Sequence, residues 1–323
     1  MDDETRPRRS TDTPAGGRAP AWHVVRLPFQ PPLALDDLIA FFGLRAIPGV
    51  EDVVDGRYAR SVRLPGGVAI VSVATDSGDR SGGGGRDTGD ADSPGVVARV
   101  RIDSADDLDH AVAACRRALD LDADPTVIDA ALGADPLLAP LVAAAPGRRA
   151  PGHVDAAELA VRAVLGQQVS LLAARRLAGL LAELCGDPLP EPVSNVTTAF
   201  PTPATIAEAD LDRIGMPGTR RETLRTLARS LADGDIRLTP DADPDEAERR
   251  LLEIRGIGPW TAAYIRMRGL GDRDVLLATD LGVRHALARL GVDQPAAIAV
   301  LARRWSPWGS YAVQHLWASL GAP

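Results

Sequence analysis

Two glycines and one aspartate near the carboxyl end could hold a phosphate and do chemistry beside it. Gly256 and Gly258 separate two helix-like stretches, and glycine lets a backbone turn tightly and approach another molecule closely. Pro259 opens the second helix, whose first N–H groups and positive dipole end can seat a phosphate. Asp280 follows 22 residues after Gly258. This spacing indicates contact with a nucleic-acid backbone; a plain turn between two helices is the alternative.

Aromatic residues around this segment could form a pocket for a base. Trp260 and Tyr264 are four residues apart and share one helix face. A base rotated out of a duplex needs stacking surfaces, and a cationic alkylated base gains further from an electron-rich indole. Core packing is the alternative, because aromatic side chains also dominate protein cores. Further aromatic residues crowd the C-terminal region: Trp305, Trp308, Tyr311 and Trp317.

Asp280 and a pair of glutamines are the other candidates. A carboxylate next to a glycosidic bond stabilises the oxocarbenium-like state through which that bond breaks, and it can orient or deprotonate water. Asp280 could equally cap a helix, a role for which Thr279 competes; both roles can hold together. Gln167 and Gln168 could contact base edges or plug the vacated stack, whereas Ser170 reads as the cap of the following helix.

Composition excludes several classes of chemistry. The chain has no lysine among its 36 basic residues, so neither a side-chain Schiff base nor a P-loop lysine can form. Its two cysteines lie far apart, and its histidines lack metal-ligand spacing. The net charge of −8 argues against nucleic-acid binding, but residues 255–323 carry eight Arg against four Asp, and local potential governs contact with phosphates. No apolar run of membrane-spanning length occurs.

The pattern of elements predicts a small α+β unit followed by helices. Strands are predicted at 22–29, 57–64, 67–74 and 96–103, and helices at 34–45 and 104–120. Further helices are predicted at 125–132, 154–166, 170–185, 203–214, 219–232, 243–254, 259–269, 280–290, 295–305 and 309–320, with breaks at 186–203 and 215–218. We therefore predict a disordered tail 1–20, an α+β domain 21–122 with a flexible loop 75–95, and a helical domain 123–323 containing the hairpin 252–261.

Sequence blocks spread over residues 22–320 resemble, in the same order, the DNA-3-methyladenine glycosylase II family of the helix-hairpin-helix superfamily. The blocks are Tyr58–Ser61, Arg162–Ser170, Phe200–Pro203, Gly215–Pro217, residues 252–264, Asp274-Val275 with Asp280, and Arg304–Ala312. The resemblance implies an α+β N-terminal domain related to the TATA-binding-protein fold. An all-α glycosylase domain of two lobes would follow, with the base pocket between the lobes.

The resemblance also implies roles for particular residues. Asp280 matches the catalytic aspartate, and Gln168 stands where a known member has an apolar wedge, so a polar amide would fill the gap in the duplex. Leu281 stands where an aromatic residue can stand, which would leave the pocket more open. The base pocket would be lined by Gln167, Trp260, Tyr264 and Trp308; DNA contacts would come from Gln168, Gly256, Gly258 and Thr261; and backbone carbonyls of Leu252, Ile254 and Ile257 would hold a structural sodium or potassium ion.

The function implied is that of a monofunctional glycosylase in base excision repair. It would hydrolyse the N-glycosidic bond of alkylated purines such as 3-methyladenine and 7-methylguanine in damaged double-stranded DNA, with no required cofactor. Trp260 stands where bifunctional relatives carry the Schiff-base lysine. We expect a cytoplasmic, nucleoid-associated monomer with no membrane contact, and no fused methyl-accepting regulatory region. The alternatives are a glycosylase for oxidised or deaminated bases and a non-catalytic DNA-binding protein that uses the hairpin.

Overall fold

The computed structural model describes residues 22–74 and 94–321, and its amino-terminal part is a five-stranded antiparallel sheet. The strands are β1 Trp22–Pro28, β2 Glu51–Val54, β3 Arg57–Leu64, β4 Gly67–Ala74 and β5 Gly95–Arg101, in the order β1-β5-β4-β3-β2. Two helices, α1 Leu35–Arg45 and α2 Leu108–Leu119, pack against the sheet. Buried side chains between Leu27 and Leu121, together with Val154, form the apolar cluster that holds this part together.

The rest of the described chain is mainly helical and divides its buried side chains between two clusters. The helices are α3 Pro125–Gly133, α4 Ala139–Ala144, α5 Ala156–Leu165, α6 Leu171–Cys185, α7 Pro203–Glu208, α8 Gly218–Ala232, α9 Pro244–Glu253, α10 Pro259–Gly269, α11 Leu281–Arg289, α12 Pro295–Trp305 and α13 Gly309–Ala318. One cluster is built from α5 to α10, and the other from α3, α4 and α11 to α13. The expected fold class, an α+β part followed by a two-lobed helical part, is confirmed.

Local sequence explains where many of these helices begin. Asp155 and Ser170 accept first-turn N–H groups at the starts of α5 and α6. Such side chains satisfy donors that the helix itself leaves without partners. Asp124, Thr202 and Asp243 do the same for α3, α7 and α9, each followed by a proline in the first turn. No helix within 22–74 or 94–321 has both the length and the apolar character needed to cross a bilayer.

The structure differs from the sequence prediction at several elements. The predicted break at 186–203 contains a two-stranded ribbon, β6 Asp187–Val193 with β7 Val196–Ala199. The predicted helix 203–214 ends at Glu208, because Ala209 is extended and Asp210 caps a separate turn. Strand β2 and helix α4 were not predicted. The predicted tail 1–20, and the predicted flexible loop 75–95 except for residues 94 and 95, lie outside the described residues; the domain boundary at 122 stays a prediction.

A buried cluster of charges joins the sheet to α5. Arg60 on β3 pairs with Glu51 at 3.1 Å and with Glu158 at 2.6 Å. Arg162 reaches the same two carboxylates at 2.9 and 3.1 Å. Glu51, Glu158 and His153 lie close enough to ligate a metal ion, but the two guanidinium groups already neutralise both carboxylates. Because buried ion pairs offset their desolvation only in good geometry, this cluster fixes how the sheet sits on α5.

Two buried histidines are held in the neutral form. Burial lowers the pKa of His315 to about 4, and the charge of Arg148 acts in the same direction. Burial and the neighbouring arginine charges hold the pKa of His153 well below its usual range. The unfolded chain protonates histidine near pH 6.5, so it binds more protons than the folded chain below that pH. The free energy of unfolding therefore falls as the pH falls from about 6.5 towards 4.

The His315→Gln variant should lose part of this acid sensitivity. With a folded pKa of about 4, His315 alone is expected to cost the native chain about 2 kcal/mol of stability between pH 7 and pH 5. Urea titrations of both proteins at the two pH values measure the difference. His110 is exposed on α2, so His110→Gln should keep the native pH dependence. If the free energy of unfolding depended on pH equally in all three proteins, His315 would not be a source of the acid sensitivity.

Candidate active site

One cavity of about 850 Å³ lies where α1, α5, α6, α10, α11 and α13 meet. It brings together three of the predicted residues, Asp280, Trp260 and Tyr264, from two separate stretches of the chain. Its volume is within the range of small-molecule pockets, about 300–1,000 Å³. The predicted acid and two of the predicted aromatic residues therefore share the wall of one space large enough for a base.

Asp280 is both a helix cap and a cavity residue. One carboxylate oxygen, Oδ1, accepts the N–H of Val283 at 2.9 Å and Nε1–H of Trp317 at 2.8 Å. The other oxygen, Oδ2, accepts Nε1–H of Trp260 at 2.9 Å. Three donors thus hold the carboxylate in one orientation at the N-terminus of α11, where the helix dipole favours negative charge. The capping role is therefore observed, and the catalytic role stays a prediction that the place of the carboxylate on the cavity wall allows.

The rings of Trp260 and Tyr264 form a stacked pair on the face of α10. Their centroids are 5.3 Å apart and their planes differ by 11°. Nη1–H of Arg268 donates to the Tyr264 hydroxyl at 3.0 Å. Although burial alone would raise the pKa of Tyr264, the charges of Arg268, Arg45 and Arg162 lower it below its usual value. The stack therefore links the indole that touches Asp280 to a deeper region of positive charge.

That deeper region is lined by guanidinium groups, which the sequence analysis did not single out. Arg45 lies over the ring of Phe41 at 3.7 Å, and Arg268 lies 4.7 Å from the same ring centre. Arg268 is 3% exposed and donates to the carbonyls of Pro151 and Gly152. Arg45 and Arg268 are 223 positions apart in the chain, so no local pattern could have joined them.

Trp308 is not on the cavity wall, which corrects the prediction. Its ring packs edge-on against Tyr311, with centroids 5.8 Å apart, inside the lobe that contains α13. Trp317 lines the cavity instead and donates to Asp280. Trp308 directly precedes α13, whereas Trp317 lies in its last turn, so the two rings have different surroundings. The sequence showed both residues but not which side of this helix faces the cavity.

The two glutamines lie in the turn between α5 and α6, and they differ in role. Gln167 is absent from the cavity lining; its Nε2–H₂ donates to the Gly256 carbonyl at 2.9 Å and to the Thr261 hydroxyl at 3.0 Å. This glutamine fastens the turn to the hairpin, which corrects its expected place in the pocket. Gln168 is exposed, with a left-handed backbone of φ 55°, and its neighbour Val169 lines the cavity.

Helices α9 and α10 form the predicted hairpin, and its two glycines have different tasks. Gly256 is left-handed, with φ 95°, and a Cβ there would clash with the Thr223 hydroxyl. Gly258 has open space around the position of a Cβ and supplies no side chain to cap α10. Thr261 is 4% exposed and its hydroxyl accepts from Gln167, so its side chain is not available for the predicted DNA contact. The open side of the hairpin is therefore at Gly258, where a phosphate could approach.

The carbonyls predicted to hold a monovalent cation lie on both sides of the same turn. The Ile254 carbonyl accepts the N–H of Ile257 at 3.0 Å. A carbonyl oxygen has two lone pairs, so this bond leaves one for an ion. Backbone carbonyl oxygens are suitable ligands for a hard cation. The residues present thus fit such an ion, and the site stays a prediction.

The Gly256→Ala variant should be destabilised by about 1–3 kcal/mol, because a Cβ must enter both a left-handed backbone and the space of Thr223. Chemical denaturation measures the loss. Gly258→Ala is the matched variant: it should keep the native stability but bind duplex DNA about tenfold more weakly, because its methyl group fills the open face. Equal stability of both variants would contradict the packing argument, and unchanged DNA affinity of Gly258→Ala would contradict the phosphate seat.

Comparison with known proteins supports the assignment of the family. Residues 24–155 match the family described as the AlkA N-terminal domain. The chain is 44% identical to a Mycobacterium tuberculosis protein named probable bifunctional transcriptional activator/DNA repair enzyme AlkA, over 93% of this chain and 57% of the relative. The chain therefore spans little more than half the length of that relative.

The matches to a second relative and to a solved structure extend over nearly the whole length of both proteins compared. DNA-3-methyladenine glycosylase 2 of Escherichia coli is 34% identical, over 91% of this chain and 97% of the relative. A 3-methyladenine DNA glycosylase structure from Archaeoglobus fulgidus shares the fold, with a TM-score of 0.75, 22% identity, and coverage of 90% of this chain and 97% of that one. On the sequence match to the Escherichia coli enzyme, with the acid and aromatic stack in one cavity, the chain belongs to the AlkA family of DNA-3-methyladenine glycosylases.

Proposed function

We propose that this protein is a monofunctional DNA glycosylase that removes alkylated purines from double-stranded DNA. The observation that carries the proposal is the Asp280 carboxylate, fixed by two indole N–H groups on the wall of a cavity that also contains the Trp260–Tyr264 stack. A flipped, positively charged purine would lie against the electron-rich rings. Its deoxyribose would then lie next to the carboxylate.

The reaction would proceed with little need for an acid. Alkylation gives the purine a positive charge, so the bond between its ring nitrogen and C1′ breaks with both electrons moving to the base, which leaves neutral. The sugar left behind is positively charged, and the Asp280 carboxylate stabilises it. Water then bonds to C1′ and loses a proton to Asp280 or to solvent, which gives an abasic site. The carboxylate can also orient that water.

Duplex DNA treated with a methylating agent tests the proposal. Incubation with the protein should release free 3-methyladenine and 7-methylguanine, detected by chromatography. Borohydride added during the reaction should trap no side-chain adduct, because the chain has no lysine. Absence of any released methylpurine would overturn the proposal.

A second candidate is a glycosylase for oxidised or deaminated bases. The guanidinium groups deep in the cavity favour it, because Arg268 and Arg45 could donate to the carbonyl oxygen of such a base. Competition between defined lesions in one duplex sequence would decide between the two. A non-catalytic DNA-binding role is less well supported, since it explains the helix cap made by Asp280 but not its place beside the aromatic stack on the cavity wall.

We also propose the setting in which the enzyme works. It would act as a monomer on damaged duplex DNA, in the cytoplasm and on the nucleoid, with Gln168 filling the gap left by the flipped base. A sodium or potassium ion on the carbonyls of Leu252, Ile254 and Ile257 would brace the hairpin, and no further cofactor is proposed. The exposed, left-handed Gln168 supports the gap-filling role, and the open face at Gly258 supports contact with duplex DNA.

A further inference from the structure

The inner part of the cavity contains positive charge without a matching carboxylate. Arg162 is paired with Glu51 and Glu158, and Arg148 with Asp37 at 2.8 Å. By contrast, across the described residues neither Arg45 nor Arg268 forms an ion pair. Arg45 donates to the Phe41 carbonyl at 3.1 Å, and Arg268 donates only to carbonyls and to the Tyr264 hydroxyl.

Such an arrangement is costly unless something compensates it. A buried charge without a partner destabilises the folded state unless another group, such as a bound ligand, supplies the opposite charge. Burial lowers the pKa of Arg45 to about 10, with the charges of Arg268 and Arg162 acting in the same direction and Tyr264 opposing them. The group is therefore still a cation at neutral pH, although its surroundings favour the neutral form.

A third group in the same cavity also has no partner. Gln314 on α13 lines the cavity and is 5% exposed, and its Nε2 atom is buried without a hydrogen-bond acceptor within residues 22–74 and 94–321. Buried amide nitrogens normally donate a hydrogen bond, and this one has no acceptor among those residues. Two guanidinium groups without a carboxylate partner, on α1 and α10, thus border one space, and behind its wall on α13 lies an amide donor that a side-chain rotation would turn towards a ligand.

The cavity is continuous from Asp280 to these donors. Trp260 touches Asp280, Tyr264 stacks on Trp260, and Arg268 bonds to the hydroxyl of Tyr264. Around Asp280 the wall is acidic and aromatic, which suits a cationic purine ring. Around Arg45 and Arg268 the wall is cationic, which suits an anion. A volume of about 850 Å³ is ample for a bicyclic base that carries a substituent.

We propose that Arg45, Arg268 and Gln314 form a subsite for an anionic substituent of the flipped base, so that the enzyme excises purines carrying a carboxyalkyl group on a ring nitrogen. The positive ring would lie against Trp260 and Tyr264, and the carboxylate would reach the two guanidinium groups. The ligand would then supply the negative charge that the subsite lacks. This proposal rests on the glycosylase function proposed above and specifies its substrate class.

The test uses the whole protein and three duplexes that differ only at the lesion. They contain 7-methylguanine, 7-carboxymethylguanine, or the neutral carbamoylmethyl analogue of nearly the same size. We expect kcat/KM for the carboxymethyl lesion to exceed that for the carbamoylmethyl lesion roughly 10- to 100-fold, since hydrogen bonds to charged groups are the stronger ones. Equal values for these two lesions would overturn the proposal, because charge would then not be recognised.

Variants link that preference to the subsite. Arg45→Met should lower the ratio of kcat/KM for the carboxymethyl lesion to kcat/KM for the carbamoylmethyl lesion to near one. Gln314→Leu should lower the same ratio several-fold, and it serves as the test if Arg45→Met does not fold. Arg303→Met, an exposed arginine on α12 outside the cavity lining, should keep the native ratio. An unchanged ratio in the folded Arg45 and Gln314 variants would overturn the assignment.

A separate measurement distinguishes this proposal from the proposed function. Quenching of tryptophan fluorescence reports binding of the free bases without any excision. Free 7-carboxymethylguanine should bind the native protein more tightly than 7-methylguanine and should lose that advantage in Arg45→Met. If the native protein excised no methylpurine, the glycosylase function would fail, and the base-binding result alone would decide whether the subsite exists. Equal binding of both bases would reject the subsite.

Discussion

The Asp280→Asn variant is expected to lose base excision by about 10²–10³-fold while it keeps its fold. Asparagine is as good a helix cap as aspartate, so α11 should still begin at Leu281. Its side-chain oxygen can still accept an indole N–H, but it has no negative charge to stabilise the positive sugar. Single-turnover excision of 7-methylguanine measures the loss, and the affinity for abasic-site DNA should stay near the native value.

A matched substitution separates the loss of charge from the loss of a cap. Asp124 caps α3 by accepting the N–H of Thr126 at 2.9 Å, and it lies outside the cavity lining. Asp124→Asn should therefore keep native excision. Native excision by Asp280→Asn would remove the proposed mechanism, whereas an equal loss in both variants would point to damaged helix starts.

The Glu158→Gln variant should lose about 3–5 kcal/mol of stability, the largest effect expected on the fold. Without this carboxylate, Arg60 and Arg162 share only the Glu51 carboxylate, and one positive charge has no partner. The site is buried, since the Glu158 side chain is 5% exposed. Breaking one side of a buried ion pair costs the full desolvation of the partner. Urea denaturation measures the change in the free energy of unfolding.

A double variant tests whether charge balance is the cause. Arg60→Met combined with Glu158→Gln leaves one arginine, Arg162, facing one carboxylate, Glu51. This protein should be more stable than Glu158→Gln alone, a coupling that independent sites do not show. Glu246 forms exposed pairs on α9, so Glu246→Gln should shift the denaturation midpoint little. Additive losses in the double variant would contradict the account of the cluster.

The sequence predicted those parts of the site that depend on neighbouring residues. Gly256, Gly258 and Pro259 specify a turn and a helix start through backbone geometry alone, and α10 begins at Pro259 in the structure. Trp260 and Tyr264 share a helix face because they are four residues apart. Asp280 begins a helix, as its capping preference indicated. Each of these inferences needed no knowledge of distant packing.

The parts that were missed depend on contacts between distant residues. Whether Trp308 or Trp317 faces the cavity depends on how α13 packs against α11, and periodicity does not fix that orientation. Arg45 and Arg268 meet at the Phe41 ring only because α1 lies beside α10. The ribbon of β6 and β7 is held by tertiary contacts such as the hydrogen bond from the Ser61 hydroxyl to the Thr198 carbonyl at 2.8 Å. The prolines of β6 predict a loop when only the local sequence is considered.

Stabilisation of a positive sugar by the Asp280 carboxylate can be measured through binding alone, without excision. The duplexes needed carry, in place of the target sugar, either a cationic pyrrolidine ring or a neutral tetrahydrofuran. A binding site complementary to the transition state should prefer the cationic ring, by about 100-fold in the native protein. Asp280→Asn should lose most of this preference while its affinity for the neutral duplex stays the same. An undiminished preference in that variant would contradict this role of the carboxylate.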